Sequence, residues 1–344
     1  MPKCALSLLS AVLALSVSAP AFARAAGERE AWTPTATALR ADAAGIAMPQ
    51  SVAGLSLSKS GEVSNGGKGI DNYAQYLSDD GAIQATLYIY LPSYADASLA
   101  AYMTDKAVME RFGAKTRRTA YASVAVAGQA DRAIRAIYDD AADGALTTAA
   151  AFLHAGRWLV KLRVTGPAER RKEVLAGLDG MVAGLTFDDP ASLHATKPAR
   201  LAACPADDGG DARLTARTVA EPVDISLPRE GRELLCVRGK VDTADGSYDI
   251  LQQAGIADGA IIVPVDDAGT VVAFDPAKAG RGYRLSIHSV GQTDLYGVYD
   301  KVPSARQIAQ ILDGKDPQTA QAGAIADYAA NGDVTVRTAD AKLR

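Results

Sequence analysis

Apolar and polar positions alternate strictly from Ile83 to Tyr90, with Ile83, Ala85, Leu87 and Ile89 on one side and polar or tyrosine side chains on the other. A period of two predicts a half-buried strand. Tyr73 to Leu77 precedes it across Ser78-Asp79-Asp80-Gly81, whose acids and glycine suit a hairpin turn, and Pro92 ends it. From Asp96 to Phe112 the spacing changes to Leu99, Met103, Met109 and Phe112 with Tyr102 alongside, the stripe of an amphipathic helix that Gly113 stops. Strands follow at Asp131 to Tyr138 and Leu146 to Leu153. The latter pairs across Ala155-Gly156 with Trp158 to Val164, where Trp158, Val160, Leu162 and Val164 alternate with Lys161 and Arg163. Val174, Leu175, Leu178, Met181 and Val182 then mark one face of a second helix over Ala168 to Ala183.

Beyond Phe187-Asp188-Asp189-Pro190 the pattern breaks, and residues 190–205, with Pro198 and few large apolar side chains, read as a linker. The second half is strand-rich: Leu234 to Lys240, Ala260 to Val265, Thr270 to Phe274, Tyr283 to Val290 and Leu295 to Tyr299, with a hairpin turn at Asp266-Asp267-Ala268-Gly269. Ser304 to Leu312 reads as a helix stopped by Gly314, and Asp333 to Thr338 as either an added strand or a frayed tail. The predicted class is α+β. An N-terminal antiparallel sheet with two packed helices, an α/β sandwich over residues 50–189, precedes a smaller strand-rich domain over 206–344, and the Ala- and Thr-rich residues 24–49 are expected to be mobile.

Thr86-Leu87-Tyr88-Ile89-Tyr90-Leu91-Pro92 and Gly156-Arg157-Trp158-Leu159-Val160-Lys161-Leu162-Arg163, taken with this element order, resemble PsbP-like proteins, a photosystem accessory family whose fold recurs in bacterial envelope proteins. The likeness covers about residues 50–187. It implies an α/β sandwich and a ligand-free accessory habit, and a fold alone does not fix function.

Met1-Pro2-Lys3, the uncharged run from Cys4 to Ala19 and the A-x-A pattern at Ala21 and Ala23 predict a signal peptide over residues 1–23, cleaved after Ala23. Cys4 precedes the apolar run, which argues against a lipoprotein. Cleavage removes one Lys and no acid, so 35 of the 36 basic residues face 40 acidic ones and the net charge is near −5. That balance, without a basic stripe, argues against a nucleic-acid partner. No second apolar stretch approaches twenty residues, so no membrane span is expected after cleavage. Cys204 and Cys236 remain, and in an exported chain an even pair reads as one disulfide.

Familiar motifs fail on spacing. Ser56-Leu57-Ser58-Lys59 has the S-x-x-K spacing of penicillin-recognising enzymes but alternates like a strand, and Lys115-Thr116 is followed by Arg117 rather than glycine. Gly61 to Gly69 surrounds Lys68 with glycines but lacks the hydroxyl residue of a P-loop, and reads as a hairpin loop. The acidic segments Asp207 to Asp211 and Asp242 to Asp249 depart from the EF-hand template at Ala244 and read as solvated turns. The three histidines, His154, His194 and His288, are dispersed, so no catalytic set, metal ligand set or cofactor is expected.

Tyr88 and Tyr90, with Tyr76 on the neighbouring strand, remain as a candidate recognition face; the bland alternative is that a second layer covers it. The expectation is a periplasmic or secreted, non-catalytic accessory or binding protein with a protein or small-molecule partner in the envelope. The alternative is an envelope hydrolase assembled around His288 and Asp294.

Overall fold

The computed structural model describes residues 31–64, 68–204, 210–216, 234–256, 259–277 and 282–338. Strands β1 (Thr33–Pro34), β2 (Ala38–Ala41), β3 (Ile46–Pro49), β4 (Ser51–Val52), β5 (Leu55–Glu62), β6 (Asp71–Leu77) and β7 (Gln84–Tyr90) lead to helix α1 (Ala97–Arg111). Next come β8 (Arg117–Val126), β9 (Gln129–Asp140), the single turn α2 (Ala141–Gly144), β10 (Leu146–Ala155), β11 (Trp158–Pro167), α3 (Arg171–Gly184) and β12 (Thr186–Phe187). The rest comprises β13 (Arg200–Ala203), β14 (Leu214–Ala216), β15 (Leu234–Thr243), β16 (Gly246–Gln253), β17 (Ile261–Pro264), β18 (Val271–Pro276), β19 (Tyr283–Ser289), β20 (Gln292–Tyr299), α4 (Ala305–Leu312), β21 (Ala324–Tyr328) and β22 (Val334–Thr338).

These strands form three sheets. Four strands run in the order β1-β2-β3-β12, and eight in the order β4-β5-β6-β7-β11-β10-β9-β8. Ten make the largest, β13-β15-β16-β17-β18-β19-β20-β21-β22, with β14 beside β20. Strand accounts for 51% of the structure and helix for 19%, so the protein is mostly β and the α+β expectation is overturned.

The reason lies in where the helices sit. Alternation along β10 sends Ala149, Ala151 and Leu153 to one face, where α3 lays Val174, Leu178 and Met181, and sends Ala150 and Phe152 to the other, under Ala97, Ala100 and Ala101 of α1. The two helices therefore lie on opposite faces of the eight-stranded sheet. Helix α1, capped by the Asp96 carboxylate accepting from the Leu99 N–H at 3.0 Å, is also covered on its other side: Leu99 packs with Leu235, Leu251, Ile262 and Val271 of the ten-stranded sheet. Helix α4 closes the outer face of that sheet through Ile308 and Ile311 against Ile261, Val263 and Phe274. The layers run α3, eight strands, α1, ten strands, α4.

Other expectations are also corrected. From Ala31 onward the segment expected to be mobile is built into the structure: Trp32 donates its indole N–H to the Gly61 carbonyl at 2.9 Å, and Leu39 and Met48 are buried against the α3 face. Strands of two to four residues leave no periodicity to read, which is why the sequence hides them. Residues 1–30, with the expected leader, lie outside the described residues. The 190–205 segment is not a free linker, since Leu193 is buried and Arg200–Ala203 pairs in parallel with β15. Asp242 to Asp249 is more than a solvated turn, since it forms the β15–β16 hairpin, and of the two readings left open for Asp333 to Thr338 the added strand is the one formed, as β22 on β21.

Cys204, just past β13, is disulfide-bonded to Cys236 on β15, with Cα atoms 4.9 Å apart. Among the described residues no helix is long and apolar enough to cross a membrane.

Candidate functional site

The densest polar chemistry lies in the seam between the two large sheets, around α1. Strand β7 ends at Tyr90, and Leu91 to Ser93 then crosses to the β19–β20 hairpin: Pro92 bridges Val290, and the Ser93 N–H donates to the Ser289 carbonyl at 3.0 Å. Glycine permits this approach. A Cβ on Gly291, at φ 69°, would stand 2.2 Å from Ile70 Cδ1, and one on Gly269, at φ 92°, 2.6 Å from Pro92 Cβ.

At the β19 end, His288 is set among hydroxyls. Its Nε2 lies 2.9 Å from Ser286 Oγ, and its Nδ1 lies 3.1 Å from Ser93 Oγ and 3.2 Å from Thr293 Oγ1. Ser93 donates its own proton to the Gln292 carbonyl at 2.8 Å, so it accepts from an Nδ1–H, leaving Nε2 to accept from Ser286. The Tyr94 ring meets the imidazole edge-on at 5.2 Å. A serine hydroxyl directed at an imidazole is the start of a nucleophile–base pair. Ser286 is only 5% exposed, however, which closes the approach to its oxygen. Asp294 is the Cα partner of Ile287 while His288 faces Thr293, so strand alternation puts Asp294 on the opposite face from the imidazole it was expected to serve.

In the middle of the seam, Lys161 of β11 forms an ion pair with Asp267, which also accepts from Thr104 of α1 at 2.6 Å. Tyr90 donates its hydroxyl to the Asp267 carbonyl at 2.8 Å, and the Lys161 ammonium stands 5.7 Å from the centre of the Tyr88 ring. Burial raises the Asp267 carboxyl, but the Lys161 charge together with the hydrogen bonds from Lys161 and Thr104 and the Arg163 charge leaves the acid below its usual range. Burial draws Lys161 downward against the pull of Asp267. Nearby Asp71 is pushed up to about 6 by burial and by the charges of Glu62 and Asp266. At the far end, Asp249 of β16 accepts from Tyr102 and, at 2.9 Å, from Lys106, both on α1.

The expected tyrosine face is not formed. Tyr76 is the Cα partner of Ala85 and lies in the α3-side core, whereas Tyr88 and Tyr90 point to the other side. Tyr90 is 3% exposed beneath the ten-stranded sheet, and Tyr88 is half-buried. Their recognition role thus gives way to packing, with the second layer covering them.

His154 and His194, dispersed in the sequence, meet with rings 4.2 Å apart. Ser56 and Lys59 lie on β5, separated by a register shift. Part of the Gly61 to Gly69 loop and of the Asp207 to Asp211 segment falls outside the described residues; Asp211 accepts from Ser304 at 2.6 Å, at the start of α4. Among the described residues no three His, Cys, Asp or Glu side chains are gathered to hold a metal ion.

Sequence reasoning missed Lys161, Thr104 and Asp267. Their one local signal is Lys161, with Arg163, on the Tyr88 side of a strand whose other face is apolar; the partner of Lys161 is 106 residues away. No family model and no curated protein matches the chain, so its function rests on this geometry.

Proposed function

We propose that the chain is an exported, non-catalytic accessory or binding protein of the bacterial envelope, periplasmic or secreted, that engages a protein or small molecule there. One observation carries this reading. The side chains best suited to chemistry, His288, Lys161, Asp267 and Asp249, brace the joint between two sheets, and the serine nearest an imidazole is buried. The bonded Cys204–Cys236 pair and the A-x-A leader pattern support export. The test is periplasmic extraction under crosslinking, with mass spectrometry of the recovered chain. A mature N-terminus at Arg24, no alkylatable thiol without reductant and a crosslinked partner are expected. Recovery from the cytosol with Met1 retained and both thiols alkylatable would overturn export.

A second reading, an envelope hydrolase at His288, draws on the 2.9 Å Ser286–His288 contact. Labelling of the native protein by a fluorophosphonate, lost in Ser286→Ala, would favour it over the binding role. An unlabelled protein would leave the binding role standing.

A further inference from the structure

Between the eight- and ten-stranded sheets the chain passes through residues 190–199, and this strap is fastened along the ends of β8 to β11. Gly156 N–H donates to the Ser192 carbonyl at 2.8 Å, His194 N–H to the His154 carbonyl at 2.9 Å, and Thr196 N–H to the Asp131 carbonyl at 2.8 Å. Ser123 Oγ donates to the Thr196 carbonyl at 2.8 Å, and Leu193 is buried where it bridges Ala155. Two of the three histidines meet at it, His194 on the strap and His154 on β10. The His154 and His194 rings stack with centroids 4.2 Å apart and a 35° tilt, and His194 Nε2 lies 3.1 Å from the Gly156 carbonyl. His154 is 4% exposed, and its Nε2 is buried without a hydrogen-bond partner among the described residues.

We propose that the strap is an acid-released latch: protonation of His154 at mildly acidic pH undocks residues 190–199, while the Cys204–Cys236 disulfide keeps the far end tethered.

The Gly156 carbonyl favours an added proton on His154, but burial and the neighbouring His194 outweigh it, so protonation requires water, and water enters when the strap lifts. Burial first, and the neighbouring His194 second, hold His154 at about 3 instead of its ordinary 6.5. The flanking charges give no help. Alternation puts Arg132 of β9 and Lys161 of β11 on the His154 side, both cations, with Lys161 already paired to Asp267. Asp131 at the β9 end and Asp189 at the strap start are exposed. A depressed imidazole pKa contributes docking that is complete above about 6.5 and is lost as pH falls towards 3. By linkage the docked fraction relative to the open one drops by about 30-fold at pH 5.

The experiment is NMR-detected hydrogen exchange on the full chain at pH 7.5 and 5.0, corrected for intrinsic rates. Protection of the Gly156, His194 and Thr196 amides should fall by about 30-fold, while the Leu87 amide in the sheet interior stays unchanged. His154→Phe fills the same space without a titrating group and should hold these three amides equally well at both pH values. Equal protection in the native chain at both pH values, or pH dependence that survives His154→Phe, would overturn the latch. The His154 ring shift in the native chain gives a check that does not depend on the variant folding. Flat shifts down to the pH at which protection is lost are expected, and titration near 6.5 with protection intact would overturn the proposal.

Discussion

Asp267→Asn keeps the shape of the seam but removes the charge facing Lys161. The lysine side chain is 11% exposed and the Asp267 side chain 33%, so the ammonium would be left in a mostly dry place while the aspartate position retains some access to water. Breaking a fully buried pair from one side costs about 3–5 kcal/mol, and the partial exposure of Asp267 brings the expected loss to about 2–3 kcal/mol. Lys161→Met removes the charge from the drier side and should cost less, about 1–2 kcal/mol, because Thr104 still donates to Asp267 and water reaches it. The double variant should return to within about 1 kcal/mol of the native protein, since neither charge is then stranded. Urea unfolding of the four proteins, with unchanged m-values, completes the cycle. If the single losses simply add, or if Asp267→Asn costs less than about 0.5 kcal/mol, Lys161 and Asp267 are not coupled across the seam as argued.

Replacing Cys204 and Cys236 together by serine opens a link between residues 32 apart, and the chain-entropy relation gives a loss of about 3.7 kcal/mol. The urea midpoints of the two proteins report it; equal midpoints would mean that the bond does not restrain the unfolded chain. Asp71, raised to about 6 from 3.8, contributes stability that is present below about 3.8 and lost as pH rises through 6. Asp71→Asn should therefore stabilise the protein at pH 8 and have little effect at pH 4, as measured by unfolding at both, and the reverse order would refute the assigned crowding by Glu62 and Asp266.

Regular elements were legible wherever one face of a long strand or helix is dry. The β6–β7 hairpin, α3 and α4 follow their periodicities because each buries one side more deeply than the other, and the β10–β11 hairpin, covered on both faces, shows through its long apolar run and the alternation of Lys161 and Arg163. Helix α1 was found, but its packing was not, since small residues face one sheet and Leu99 and Tyr102 the other. Strand β8 escaped notice because its alternation of Arg, Thr, Ala, Tyr and Ser at a sheet edge carries little apolar contrast. Strand β16 was hidden by its one acid and its polar start, although Asp249 is buried against Lys106. The Tyr76, Tyr88 and Tyr90 expectation failed at register: β6 pairs so that Tyr73, not Tyr76, stands opposite Tyr88. A shift of that kind moves a side chain to the other face, and cross-strand register is set by partners that a local pattern does not contain.

The same reasoning explains why the site was hidden. The contacts that cross the seam join residues far apart in sequence, such as Ser93 with His288 and Thr104 with Asp267, and bury polar groups that, taken alone, would be predicted at the surface. A layered protein whose two large sheets share one helix needs a device that fixes how they face each other, because apolar surfaces alone permit sliding. Paired charges and directed hydroxyls supply it: Lys161 and Asp267 meet in one relative placement, and a shift strands both. On this argument the polar seam sets the relative placement of the sheets, and any partner is left to surfaces outside it.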